Sequence, residues 1–245
     1  MKEHTNIYGK LSTKFRELAE ENGLMEESVI VTGKTLTPRE AIGNPDRQDF
    51  PLLTGKERLV EAVFRGCKGQ AFSDMPGHFS GSIGSILKKK PSDNYERAVF
   101  ISALNAVCRS LGITEKTVHC KDNEPEECAM ELVKHVKTAY GNPKIALVGF
   151  QPSMLEQLAG NFEVRNLDLD KDKIGDTRFG VLVEDGVKDR DDVLDWCDVV
   201  ISTGSTVVNG TLGDYMIGKP VLFYGTTISA AAALLGLDRF CRCST

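Results

Sequence analysis

The chain has 245 residues, 41% of them hydrophobic, and a formal net charge of −5. That length allows one large domain or two modest ones, and the apolar share is enough for real cores. Charges of both signs are mixed and no long basic stripe occurs, which excludes nonspecific binding to nucleic acid. Lys88-Lys89-Lys90 beside Pro91 reads as a solvated helix end. Met1 to Gly23 lacks an apolar h-region, so no signal peptide is expected. No stretch reaches the roughly 18 consecutive apolar residues of a membrane span. The 7 cysteines are an odd number in a chain too large to need staples, and they read as reduced thiols in a cytoplasmic protein.

The first helix is expected over about Asn6 to Glu21, where Ile7, Leu11, Phe15 and Leu18 recur at helical spacing and Gly23 supplies the stop. Ser28 to Thr32 reads as a strand. Thr37-Pro38-Arg39-Glu40 is a capping box with Pro at the first helical position. A polar loop follows from Pro45 to Pro51, then strands over Arg58 to Phe64 and Gly69 to Phe72. Ser73 to Gly84, with three glycines, reads as a loop. A long helix over Tyr95 to Leu111 is apolar on most sides and is expected to be buried. Ile113 to Pro125 reads as irregular and polar. Pro125 opens a helix, Glu126 to Tyr140, which Gly141-Asn142-Pro143 ends.

Beyond Pro143 strands and helices alternate. Strands are expected over Lys144 to Phe150, Glu163 to Leu169, Phe179 to Glu184, Asp198 to Ser202 and Pro220 to Tyr224. Helices are expected over Ser153 to Ala159, Asp189 to Cys197, from near Thr206, and over Ser229 to Leu235. Near-continuous apolar strands separated by short helices predict a parallel sheet covered on both faces, with ligands at the carboxyl ends of its strands. The domains are thus read as residues 1–142 and 143–245.

Several polar constellations could carry chemistry. Ser202-Thr203-Gly204-Ser205-Thr206 leaves a strand and enters a helix. Gly204 would let the backbone approach a ligand, the helix start offers N–H groups, and Asn209 and Thr211 could face the same mouth. Plain N-capping by Ser205 or Thr206 is the simpler reading. Tyr224-Gly225-Thr226-Thr227 ends the last strand in the same way, making Thr226 a second candidate contact. Gly149-Phe150-Gln151-Pro152 is not G-x-G-x-x-G, so NAD is not expected. Gln151 stays a candidate contact, and Asp168 stands where an acid could hold a ribose. In the first half, Asp74 and His78 are the candidate general base or metal ligands, with a turn and a surface His as the alternative. Asn105, inside the apolar helix, either braces the fold or reaches into the site. His119, Cys120 and Cys128 bring soft ligands into ten residues, though the acids beside Pro125 also suit plain helix initiation. Cys241 and Cys243 could clamp one soft ion, form a redox pair, or belong to a mobile tail.

Taken together, Phe72-Ser73-Asp74-Met75-Pro76-Gly77, Glu96-Arg97-Ala98-Val99, Ala103-Leu104-Asn105-Ala106, the His119 to Cys128 run and the stretch Thr203 to Leu212 resemble a known family. It is the uncharacterised family labelled "putative heavy-metal chelation", and the resemblance spans nearly the whole chain. It implies an α/β protein: an N-terminal α+β domain similar to the enolase N-terminal fold, then a Rossmann-like parallel-sheet domain, with a site in the cleft between them. The resulting expectation is a protein that holds a transition or heavy metal ion, or a small molecule, in that cleft. The rival expectation is an enzyme acting on a small anionic substrate or cofactor precursor, dependent on a nucleotide in one version. The sequence leaves catalysis open. It suggests no nucleic-acid or membrane partner, and it is compatible with a homodimer.

Overall fold

The computed structural model describes residues 7–32, 36–54 and 58–245. Helix α1 (Ile7–Glu21) buries Leu11, Phe15 and Ala19 on one face; Asn6, where the sequence started it, lies outside the described residues, as do residues 1–5 before it. Strand β1 (Ser28–Thr32) follows. The capping box forms: Thr37 Oγ1 accepts from the Glu40 N–H and the Glu40 carboxylate accepts from the Thr37 N–H, opening α2 (Pro38–Ile42). After α3 (Pro51–Thr54), strands β2 (Arg58–Phe64), β3 (Cys67–Ser73) and β4 (Phe79–Ser82) complete an antiparallel sheet ordered β3-β2-β1-β4. Helices α4 (Ile83–Leu87), α5 (Asn94–Ser110) and α6 (Glu124–Tyr140) come next.

The second half alternates as expected: β5 (Ile145–Val148), α7 (Pro152–Ala159), β6 (Val164–Asp168), the hairpin β7 (Thr177–Arg178) and β8 (Val181–Asp185), α8 (Arg190–Trp196), β9 (Val199–Thr203), α9 (Thr206–Asn209), a 3-10 turn at Leu212–Tyr215, β10 (Val221–Tyr224), α10 (Ser229–Leu235) and β11 (Arg239–Phe240). The sheet order is β11-β10-β9-β5-β6-β8-β7, parallel except for β7 against β8. The molecule is a mixed α/β fold with a small antiparallel sheet and a larger, mostly parallel one. No helix among the described residues is long and apolar enough to cross a membrane.

Two expectations need correcting. The stretch read as a loop from Ser73 to Gly84 contains β4, which pairs Val29 with Gly81 and Ile30 with Ser80, and then enters α4. Its glycines hide a strand that only the long-range partner defines. The C-terminal residues, read as a possible loose end, are built in. β11 extends the parallel sheet, and Val118 and Thr245 exchange both backbone hydrogen bonds, at 2.7 and 3.1 Å.

The apolar packing crosses from sheet to sheet. α5 is buried from Ala98 to Cys108 and lies on the antiparallel sheet together with Leu11 and Phe15 of α1. Val207 and Val208 of α9 and Ala230 to Ala232 of α10 join this same core. α6 does the reverse: Cys128, Ala129, Leu132 and Val136 pack with α7 on Ile145, Leu147, Val199 and Ile201. The alternate residues Ala146, Val148 and Val200 face α8 on the opposite side, as the period of a strand requires.

Candidate functional site

The strand order reverses at β5. From there the chain passes to β6 on one side, and β9 flanks β5 on the other. In an open parallel sheet the crevice at the carboxyl ends of such a pair is the place where loops part and a ligand can enter. Here the β5 end runs into Gly149, whose φ is +88°; a Cβ there would stand 2.7 Å from Thr203 Cγ2. The two loops therefore meet only because residue 149 is glycine. A cavity of about 570 Å³ opens at this point, lined by the ends of β5, β6, β9 and β10 and, from the first half, by residues around Phe50, Phe72, Asp74, His119 and Cys128.

The sequence candidates from the second half meet in this cavity. Gln151, Asp168, Thr203, Gly204, Ser205, Asn209, Thr211 and Thr226 all line it, but their roles differ. Gln151 Oε1 accepts from the Met154 N–H and caps α7. Asp168 accepts from the backbone N–H groups of Phe150 and Asp170, one on each carboxylate oxygen, so it ties the β5 and β6 loops together. Gly204 answers to packing: a Cβ would stand 2.9 Å from Ile228 N. That packing requires glycine here whether or not a ligand approaches the backbone. The simple N-cap reading also fails. Ser205 makes no side-chain cap bond, and Thr206 Oγ1 donates to Thr203 O at 2.8 Å. α9 is only 4 residues long, too short to align the peptide dipoles that an anion-binding helix needs. The hydroxyls of Thr203, Ser205 and Thr206 bond locally, Thr203 Oγ1 with Ser205 Oγ and with the Ser205 N–H. Those of Thr211 and Thr226 are buried with no hydrogen-bond partner.

The first-half candidates separate. Asp74 lines the cavity and accepts from Asn94 Nδ2 at 2.7 Å. His78 is exposed and does not line it; its carbonyl accepts from Tyr95 Oη. Asn105 does not reach the cavity either. Fully buried, it donates to the carbonyls of Gln70, Thr226 and Thr227 and accepts from the Ala230 N–H. Of its two readings, bracing is the one observed: it holds the β10 loop from below.

The thiols come from three separated segments. Cys120, Cys128 and Cys241 line the cavity; Cys243 does not, and packs against the apolar cluster that holds Cys128. Burial drives Cys120 well above the ordinary thiol range, and Cys128, Cys241, Cys243 and Glu124 push the same way. Burial also pushes Cys128 up to about 11. Cys241 Sγ lies 2.7 Å from Ser244 Oγ. His119 lines the same wall with its Nδ1 against the Cys120 carbonyl. Burial drops it to about 4, outweighing the carbonyls of Cys120 and Ala41 that would raise it, so its imidazole is neutral at pH 7. The donor types suit a thiophilic ion, but the placement does not complete a site. Among the described residues no three His, Cys, Asp or Glu groups converge as metal ligands do.

Residues that the sequence reading passed over hold this wall in place. Gln70 accepts from the His119 N–H at 2.7 Å and donates to Glu61, which in turn pairs with Lys68. Arg239 donates to the carbonyls of Gly225 and Lys116, tying the tail to the β10 loop. Ile42, Phe50, Leu52 and Phe72 give the cavity an apolar side. The run Phe50-Pro51-Leu52-Leu53, isolated in a polar stretch, was the available signal for it.

Residues 131–232 match the family described as "Putative heavy-metal chelation", DUF364. That span holds the Thr203 to Thr211 motif and Thr226 and stops short of His119, Cys120 and Cys128 on one side and of Cys241 and Cys243 on the other. A DUF364 protein of unknown function from Pyrococcus horikoshii superposes with a TM-score of 0.54 at 17% identity, covering 90% of this chain and 79% of its own. Another, from Desulfitobacterium hafniense DCB-2, gives 0.51 at 14% identity, covering 92% and 83%. No curated protein matches the chain. The match over residues 131–232 and these two structural likenesses bear out the resemblance read from the sequence: the chain carries the DUF364 fold.

Proposed function

We propose that the chain binds a small ligand in the cleft between its two sheets, and that Cys120, Cys128 and Cys241 offer soft donors to a metal ion that is, or belongs to, that ligand. The observation that carries this reading is convergence. Residues from both halves of the chain, including Cys120 and Cys128 from one run and Cys241 from near the C-terminus, line one cavity of about 570 Å³ at the switch point. That volume falls within the roughly 300–1,000 Å³ of small-molecule sites. The family description supports the metal part of the reading. Because the donors are not gathered, a metal would have to draw the thiol side chains together and displace their protons. Residues 1–142 and 143–245 then serve as the two units that meet at the cleft, in a cytoplasmic setting that keeps the thiols reduced.

The test is metal analysis of untagged protein purified under reducing conditions, followed by calorimetric titration with zinc, copper(I) and nickel. Stoichiometric binding that weakens at least tenfold in a Cys120→Ser, Cys128→Ser double variant is expected. Unchanged affinity in that variant would remove the thiols from the reading. One observation favours a second reading, an enzyme acting on a small anion: Asp74 shares the cavity with Ser205 and could serve there as a base. An Asp74→Asn variant that binds ligand normally yet loses all turnover would select it; His78 has no part in either version.

A further inference from the structure

We infer that Asp74 and Asn209 form the recognition pair of this cleft, that they take the N–H edge of a planar nitrogenous group such as an amidine or a carboxamide, and that Arg97 is the positioning residue that holds both. The inference rests on the small-ligand reading above and names the ligand's chemical class. Asp74 and Asn209 come from different halves of the chain, and both line the cavity. Both keep surface that a ligand can reach: Asp74 is exposed and Asn209 is half-buried. Only one oxygen of the Asp74 carboxylate is engaged, and the side-chain amide of Asn209 has no hydrogen-bond partner among the described residues.

One guanidinium sets the pair. Arg97 Nη1 donates to Asn94 Oδ1 at 2.8 Å. A guanidinium only donates, so the Asn94 atom that faces it must be the oxygen, and the amide nitrogen is turned away. That nitrogen, Nδ2, donates to Asp74 Oδ1 at 2.7 Å, which fixes the carboxylate and leaves Oδ2 for a ligand. The same Nη1 also donates to Val208 O at 3.3 Å, and a Cβ on Gly210 would stand 3.3 Å from Arg97 Cζ. Val208 and Gly210 flank Asn209. The loop that carries Asp74 is fastened to α5 as well. Tyr95 Oη donates to the His78 carbonyl, and a Cβ on Gly77 would stand 2.1 Å from the Tyr95 ring. Asp74 therefore stands on a rigid support, as a recognition group must.

The chemistry selects the ligand. A carboxylate accepts and cannot donate, whereas an amide does both. Together they match a planar edge that carries two N–H donors, or a donor beside an acceptor. The same carboxylate repels a carboxylate or phosphate placed against it. The other acids of the cavity are occupied: Asp168 takes two backbone N–H groups, and Asp170 pairs with Lys173 at 3.5 Å.

The test uses the full chain and three probes of one shape, benzamidine, benzamide and benzoate, titrated by NMR and soaked into crystals. Benzamidine and benzamide are expected in the cleft with nitrogen on Asp74, and benzoate is expected to bind at least tenfold more weakly than benzamidine. Asp74→Asn should erase that preference, and Asn209→Ala should weaken both nitrogenous probes at least tenfold. Asn94→Asp keeps an acceptor for Arg97 but strips the donor from Asp74, so it should erase the preference too. Arg97→Lys keeps the charge and loses the fork. If Arg97 served stability alone, the ratio of benzamidine to benzoate affinity would survive in the folded lysine variant; its loss is expected. Benzamidine bound outside the cleft, benzoate bound as tightly as benzamidine, or the wild-type ratio kept in both Asp74→Asn and Asn94→Asp would each overturn the inference. Nickel alone is run in parallel. Stoichiometric nickel binding that needs Cys120 and Cys128, with no benzamidine in the cleft, would sink this inference and leave the metal reading standing. Benzamidine in the cleft with thiol-independent or absent nickel binding would do the reverse.

Discussion

The hydroxyl floor and the thiol wall face the same cavity but are built in opposite ways. The floor consists of strand ends: Thr203 closes β9, Tyr224 closes β10, and their register is fixed by four residue pairs, from Val200 with Val221 to Thr203 with Tyr224. Its loops are held from beneath by Asn105. The wall has no regular element along most of its length. His119 and Cys120 hang on Gln70 and on the exchange between Val118 and Thr245, and Cys241 follows a strand of 2 residues. The floor also falls within the span that matches the family, and the wall falls outside it. The contrast teaches that the floor is fixed before any ligand arrives, whereas soft-metal coordination at the wall would require side chains to move.

Breaking the floor should cost most. Asn105→Ala strands three carbonyls and one N–H in a buried site, and we expect a loss of about 3–4 kcal/mol in urea unfolding. A loss under about 1 kcal/mol would show that the β10 loop does not depend on it.

On the wall, His119 makes stability depend on pH. Its folded pKa, about 4, lies below the ordinary 6.5, so the folded chain binds fewer protons than the unfolded chain between those values. The stability tied to it is full above pH 6.5 and is lost as pH falls toward 4, in all about 3 kcal/mol. Urea midpoints at pH 7 and pH 4 should show that difference in the wild type and much less of it in His119→Gln.

The thiols give the next effect. With Cys128 raised from 9.0 to about 11, its thiolate fraction near pH 8 is roughly 100-fold smaller than in the unfolded chain. Iodoacetamide mapped by mass spectrometry should modify Cys128 at least that much more slowly in the folded protein. Equal rates would mean that the wall is open.

Gln151→Ala sharpens the comparison at its smallest scale. It should cost about 1 kcal/mol as the loss of a cap and leave ligand affinity intact, whereas a fall in affinity would make Gln151 a contact as well as a cap.

What the sequence revealed follows the same divide. The β2 boundaries, the capping box at Thr37 and the polar loop at Thr203 were legible because each is set by neighbours within a few residues. The fold of the second half was legible because buried parallel strands are continuous apolar runs. β4 was missed because Gly81 and Ser80 carry no strand signal without β1 beside them. The Val118 to Thr245 exchange joins segments 127 positions apart and leaves no trace in either. That Cys241 shares a cavity with Cys120 and Cys128 was unreadable for the same reason, and so was the role of Gln70, a lone amide in a strand. Asn105 was legible as a buried amide, but only the structure shows that it braces the loop from outside the cavity.

The packing has a consequence for how a ligand gets in. α6 precedes the crossover at Gly141 yet clasps the second sheet, while α9 and α10 follow it and complete the first core. The halves hold each other as two clasped hands do, so they cannot swing apart about a hinge without tearing both interiors. Cutting the chain between residues 142 and 143 would leave two pieces, each with a bare apolar face that fits the other. They should therefore reassemble when mixed, and admission to the cleft is left to small movements of its loops.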